Sequence, residues 1–387
     1  VSTTAALVAA APWVLMPLVG AWRAQPNLDL ADFPADPPDD PPLLSAIVPA
    51  RNEAHNIDKC ARSILASSYP RLELIIVDDH STDGTGAIAL ALAAADVRVR
   101  VVTPDALPDG WFGKQWACWS GAGQASGDVL CFFDADTHQQ PDFLARAVNV
   151  MRSRDAHLFT AMGAQETGSF WEHVVQPQVF SMMLMRYGGT ERMNRSRKPE
   201  EKIANGQCIL IDRAAYFETG GHEAVKHFVA EDMALAQRFC VMGKTSVAVI
   251  ATESFSTRMY TSLHELVMGW SKNLFVAGFD AMPGGKLGRR LYPFVMLGPA
   301  VMGLAPPLAL VAGLLGGAPD VVLWGAITSF ALLVWWLVLN IAIRVPVRYA
   351  LLYPLGASVL FYIMLRALLR GRNVRWKGRD YVATLSK

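Results

Sequence analysis

The sequence has no cysteine pair at redox or metal-binding spacing. Its five cysteines, Cys60, Cys118, Cys131, Cys208 and Cys240, are scattered. That excludes a zinc knuckle and a disulfide framework, and suits a reducing compartment. An excess of either charge is also missing. The formal net charge is +1, so there is no electrostatic footprint for a nucleic acid polymer. Two suggestive motifs are incomplete. "GAGQAS" (121–126) lacks the last glycine of a dinucleotide fingerprint and falls late in a helical stretch, not directly after a strand. "HEAVKH" (222–227) spaces its histidines i, i+5, which does not put them on one helix face.

Charge is absent altogether from three long stretches: 1–22, 291–317 and 321–343. Each is long enough to cross a hydrocarbon core of ~30 Å as a helix. The first lacks the basic start of a signal peptide and reads as a retained anchor. The stretch 349–365 is shorter and holds Pro354 and Gly356, so it is a third crossing or a re-entrant hairpin. Arg23, Arg289, Arg290, Arg344 and Arg348 flank the apolar segments. Placing them in the cytoplasm puts 23–290 inside. The tail after 369 is also basic, so 349–369 is expected to dip in and return. The expected organisation is an anchor (1–22), a linker (23–43), a cytoplasmic domain (44–260), an interfacial helical segment (261–290), transmembrane helices (291–369) and a basic tail (370–387). Within the linker, "PADPPDDPP" (34–42) is expected to be stiff and solvated.

Between linker and membrane helices, apolar β-rich runs alternate with helical patterns. "LLSAIVPA", "LELIIVDD", "VRVVTP" and "VLCFFDAD" read as strands, and 54–67, 85–95, 115–125 and 141–153 as helices. This rhythm predicts an α/β fold with a mainly parallel sheet, in which ligands bind beyond the carboxyl ends of strands. "PARNE", "DDHSTDG" and "DADTH" all fall at such ends. If the chain stays extended through "DAD", Asp134 and Asp136 point the same way. At ~5 Å and an effective dielectric of ~20 they repel by roughly 3 kcal/mol. A hard divalent cation reverses that cost; the alternative is a solvated turn.

In order and spacing, "VPARNE" (48–53), "VDDHSTDGT" (77–85), "GK" (113–114), "DAD" (134–136), "GG" (220–221) and "AED" (230–232) resemble the inverting family 2 glycosyltransferases over roughly 44–275. The layout resembles the membrane-anchored, lipid-glycosylating branch that includes carotenoid, hopanoid-associated and ceramide transferases. The resemblance implies the nucleotide-diphospho-sugar transferase (GT-A) fold. It implies a nucleotide-sugar donor (a UDP-sugar expected), Mg²⁺ or Mn²⁺, a lipid hydroxyl acceptor in the bilayer, and residence in a bacterial-type cytoplasmic membrane. Pro49, Arg51, Glu53 and Asp79 would hold the nucleoside, with Asp78 shaping the loop. Asp136 would ligate the metal with help from Asp134, and His138 is a further ligand or a polar loop residue. Lys114 would touch the phosphates or stand as an exposed cation.

Inversion needs a base for the acceptor proton. The resemblance gives that role to Asp232, with Glu231 as the other candidate. An acidic first helical turn alone would also favour an acid here. Gly221, His222, Trp270, Lys272 and Asn273 are expected on the acceptor side. Processive relatives carry Q-x-x-R-W, whereas Leu266 and Gly269 stand at the Gln and Arg positions before Trp270. Single sugar addition is therefore expected over a processive polysaccharide synthase or an inactive scaffold. Phe170 to Tyr187, rich in Met and aromatics, is core or an interfacial helix that feeds in the acceptor.

Overall fold

The computed structural model describes residues 3–376 and 379–382. The chain forms two compact units, and one is discontinuous: Asn27–Glu166, Met193–Met259 and the segment from Arg372. Its strands are β1 (Leu44–Ala50), β2 (Leu72–Asp78), β3 (Val99–Val102), β4 (Val129–Phe133), β5 (Thr137–Gln139), β6 (Leu158–Met162), β7 (Ala164–Gln165), β8 (Cys208–Asp212), β9 (Ser246–Ile250), β10 (Phe255–Thr257), β11 (Asn373–Trp376) and β12 (Arg379–Val382). Seven of them form one sheet in the order β3-β2-β1-β4-β8-β6-β9. Among these, β8 runs against its neighbours β4 and β6; the rest are parallel, as the alternating pattern predicts. β5, β10 and β7 make a small second sheet, and β11 pairs with β12 as a hairpin.

The strands read as continuous apolar runs because both faces of the sheet are covered. Ala46, Val48, Leu74 and Ile76 pack on one side with Phe133 and Phe143. Ile47, Ile75 and Val77 pack on the other with Ala117, Phe132 and Tyr216. The covering helices Ile57–Leu65, Thr85–Ala95, Gly113–Gln124 and Phe143–Ser153 fall within a few residues of the helical stretches expected from the sequence. Register aligns the strand ends: Ala50 faces Asp78 across β1 and β2, so the loops carrying Arg51 and Asp79 emerge level. Four of the cysteines are buried, and all five are free thiols.

Two expectations about organisation change. The acidic, proline-rich linker keeps Pro34, Asp36, Asp39 and Asp40 exposed, as expected, but its backbone is docked on the domain. Arg146 donates to the carbonyls of Ala31 and Phe33, and Asn149 to those of Pro34 and Asp36. Arg152 donates to the Asp40 carbonyl. Prolines leave carbonyls unpaired, and one face of the helix Phe143–Ser153 satisfies them. The domain 44–260 is also interrupted. The helix Phe170–Tyr187 belongs to the second unit, with Val1–Pro26 and Tyr260–Gly371.

That second unit is helical. Phe170–Tyr187 starts with a capping box between Ser169 and Glu172 and is tied to Pro319–Ala342 by a Trp335–Ser181 hydrogen bond of 3.0 Å. The N-terminal helix Thr3–Arg23 sets Trp13 edge-on to Trp324, and the Trp13 indole donates to the Met302 carbonyl at 2.9 Å. Four helices are long and apolar enough to cross a membrane: Thr4–Arg23, Gly285–Gly316, Pro319–Ala342 and Val347–Arg370. The last is longer than expected. Pro354 sits in the first turn of its α-helical part, where the missing N–H costs nothing. Large apolar side chains face outward throughout the unit, Phe294, Leu315 and Leu369 among them. Of the tail expected at 370–387, residues 377–378 and 383–387 lie outside the described residues.

Candidate active site

The loops after β1 and β2 are stitched together. Asn52 accepts from the Thr82 N–H at 2.8 Å, and the Glu53 N–H donates to Thr85 at 2.8 Å. Asp83 accepts from Ala54 at 3.0 Å. Asp78 accepts from the Ser81 N–H at 3.1 Å, so it shapes this loop. Asp79 is 3% exposed. Arg51 donates to its carbonyl at 2.6 Å and approaches its carboxylate at 3.7 Å.

After β4 the chain does not stay extended. The Thr137 N–H and hydroxyl both return to the Asp134 carbonyl, at 3.3 and 2.8 Å. Asp134 is thereby engaged by Lys114, while Asp136 Oδ1 is left without a partner, and the two carboxylates stay close enough for the charge of Asp134 to act on Asp136. Asp134 pairs with Lys114 at 2.7 Å, and Lys114 reaches Glu231 at 2.9 Å. Burial works against the lysine's charge, yet these two carboxylates raise its pKa well above the ordinary value. Lys114 is therefore a bridge between "DAD" and "AED", not an exposed cation.

Asp136 faces a cavity of about 180 Å³ that also presents Lys59, His138, Glu166, Ser256 and Arg258. β5 and β10 build its wall by pairing His138 with Ser256. Asp136 Oδ1 and His138 Nδ1 are both buried without a hydrogen-bond partner. Burial, then the charges of Asp134 and Glu53, push the Asp136 carboxyl up to about 7. No group of three or more His, Cys, Asp or Glu is arranged around one point among the described residues. Two orphaned ligand atoms do fit a divalent ion that takes its other oxygens from substrate phosphates and water.

The acidic pair at the start of the helix Glu231–Val241 is split in role. Burial opposes the charge of Glu231, but Lys114 outweighs it and holds its carboxyl low. Asp232 accepts from the Gly206 N–H at 2.8 Å and the Met233 N–H at 2.7 Å. Burial and the neighbouring Glu231 charge raise it to about 6. Of the two, Asp232 is the better-matched base near neutral pH, and Glu231 is spent on Lys114 rather than on the helix dipole alone.

Pro49 and His222 line a small cavity with Lys114, Asp134 and Glu231. His222 is 2% exposed, and its Nδ1 is bonded to the Tyr216 hydroxyl at 2.9 Å. Burial lowers it to about 3, so it is a neutral core imidazole. Gly220 and Gly221 hold φ of +83° and +47°, and a Cβ on Gly221 would collide with the Tyr216 ring. Trp270, Lys272 and Asn273 lie on Leu263–Asp280 in the helical unit. There Trp270 packs against Phe180 and Tyr260. Sequence reasoning missed Glu166, Arg258, Gly206 and Arg379. None sits in a motif, and Arg379 meets Asp79 from 300 positions away.

Residues 45–219 match the model of Glycosyl transferase family 2. Over 245 residues the chain is 29% identical to a 4,4'-diaponeurosporenoate glycosyltransferase of Staphylococcus haemolyticus, covering 62% of this chain and 63% of the relative. It is 28% identical to the enzyme of the same name from Staphylococcus aureus (strain MRSA252) over 247 residues, with the same coverage. The chain thus spans less than two thirds of the length of these relatives. A mannosyltransferase from Pyrobaculum calidifontis, solved with GDP-Man and Mn²⁺, superposes with a TM-score of 0.60 at 20% identity, over 95% of this chain and 98% of that one. The chain shares the GT-A fold of that mannosyltransferase, and its residues 45–219 are similar to glycosyl transferase family 2.

Proposed function

We propose that this chain moves a single sugar, with inversion, from a nucleoside-diphospho-sugar to a long apolar lipid acceptor. The observation that carries the proposal is the convergence of Asp79, the Asp134–Lys114–Glu231 bridge, Asp136 and Asp232 at the ends of strands and at one helix start. Arg51, Glu53 and Asp79 belong to the nucleoside end, where Asp79 accepts from the base. Asp136 and His138 would hold Mg²⁺ or Mn²⁺, which when bound would neutralise charge on the diphosphate. The acceptor oxygen forms its bond to the anomeric carbon as the bond to the diphosphate oxygen breaks, and the electron pair leaves with the diphosphate. For a hydroxyl acceptor, Asp232 takes the proton.

The relatives' names support a second reading of the nucleophile. The suffix of diaponeurosporenoate denotes a carboxylate, already ionised at neutral pH. With such an acceptor Asp232 orients the oxygen and has no proton to remove.

The apolar helices support a bilayer setting, and the basic flanks at Arg23, Arg289, Arg290, Arg344 and Arg348 favour the cytoplasmic side for the catalytic unit. Both ends of 260–371 join the catalytic unit, so the chain crosses an even number of times between them. That favours two full crossings and one segment that dips and returns. The experiment is transfer from UDP- and GDP-sugars to a carotenoid acid and to hydroxylated lipids with Mn²⁺, with products weighed by mass spectrometry. One added sugar per acceptor is expected. A polymer, or no nucleotide release with any acceptor, overturns the proposal.

A further inference from the structure

Arg379, on β12, donates Nη1 to Asp79 Oδ2 at 2.6 Å and Nη2 to Oδ1 at 3.1 Å. This is a two-toothed, charge-assisted pair. Tyr381 is two residues further on and faces the same side of the strand. Its hydroxyl accepts from the Gly113 N–H at 3.3 Å, and its ring stands edge-on to Phe112 with centroids 4.3 Å apart. The site makes room for this contact. A Cβ at position 113 would collide with Arg379 Nη1.

The consequence concerns the carboxylate of Asp79. A nucleobase edge reaches it through N–H donors, and Arg379 already presents N–H donors to both of its oxygens. The two compete for the same acceptors. The hairpin β11–β12 is a two-stranded ribbon, a kind of element that is barely stable alone, and the Arg379 side chain remains 21% exposed. Opening breaks a pair on an almost wholly buried carboxylate, and that cost keeps Arg379 in place most of the time. We propose that Arg379 is a latch over the nucleoside end of the donor site: it holds the carboxylate that the base needs, and the donor binds when it lets go. The proposal rests on the reading that Asp79 accepts from the base. Apparent affinity falls by the fraction of molecules with the site open. A latch closed about nine-tenths of the time weakens donor binding about tenfold.

The test uses the full chain in nanodiscs with Mn²⁺. The probe is whichever of UDP, GDP, ADP and CDP binds tightest by calorimetry. Arg379→Ala should tighten that nucleotide about tenfold, and should leave binding of inorganic pyrophosphate, which has no base, unchanged. Unchanged or weaker nucleotide binding overturns the latch, as does equal tightening of pyrophosphate. In the Arg379→Ala background, Asp79→Asn should then weaken the nucleotide. If it does not, the reading of Asp79 fails, whatever Arg379 does alone. Matching melting temperatures without nucleotide exclude a folding artefact.

Discussion

Replacing Asp232 with Asn separates base from scaffold, and the geometry sets what the variant costs. Both carboxylate oxygens accept backbone N–H groups, from Gly206 and Met233. The amide can serve only one of them as an acceptor and turns an NH₂ toward the other. One unsatisfied donor costs about 1–3 kcal/mol, so a lowered melting temperature is expected and is not the test. The test is the rate with donor and Mn²⁺ saturating. A hydroxyl acceptor should lose at least ~10²-fold, the low end for general base catalysis. That corresponds to about 2.7 kcal/mol of barrier.

The pH profile gives an independent reading on the unmutated protein. The Asp232 carboxyl is raised to about 6, so its proton-accepting form predominates above that pH and is lost below it. Roughly nine-tenths of molecules are competent at pH 7 and about one-tenth at pH 5. The rate with a hydroxyl acceptor should therefore fall on an acidic limb near 6. Saturating Mn²⁺ keeps Asp136 ionised, so its own raised pKa does not set that limb. A carboxylic acid acceptor with its own pKa well below that limb should lack it and tolerate Asp232→Asn. If Asp232→Asn keeps its rate with hydroxyl acceptors, the base lies elsewhere. If Glu231→Gln alone is inactive, the two roles are reversed.

Asp136→Ala and His138→Ala should each weaken Mn²⁺ binding to the nucleotide-loaded protein, read by electron paramagnetic resonance. EDTA should stop transfer and added Mn²⁺ or Mg²⁺ restore it; full transfer in EDTA refutes the metal reading. Phe143 is fully buried and stacked on Phe255 with centroids 5.1 Å apart, so Phe143→Ala should cost about 3–5 kcal/mol, measured by urea denaturation of the detergent-solubilised protein. A cysteine placed in 34–42 and another at Arg372 should both be shielded from an impermeant thiol reagent in intact cells. Labelling of the first overturns the orientation, and labelling of the second alone overturns the even number of crossings.

The parts of this molecule that could be read from sequence are those with a period. β1, β2 and β4 are buried on both faces, so they are mostly apolar runs, broken only near their starts by Ser45 and Glu73, and the polar residues that end them mark the rim where the site is proposed. The apolar helices declare themselves by length and absence of charge. Polar pairings have no period. Whether Asp134 and Asp136 converge depends on Thr137 returning twice to one carbonyl, a turn that no spacing rule distinguishes from an extended strand. Arg146, Asn149 and Arg152 look like the wet face of a helix, and become structural only because a proline-rich segment needs donors for its carbonyls. Phe170 to Tyr187 has a Met- and aromatic-rich, charge-poor character that suits either unit, and its membership follows from contacts such as Ser181 with Trp335. Arg379 is the extreme case. Its tail reads as a basic flank of a membrane helix, and positive charge there already has a sufficient explanation in topology. One residue can satisfy the topological rule and also occupy a distant carboxylate. Only the second role depends on three-dimensional structure, and that is the role in which local sequence rules are expected to fail.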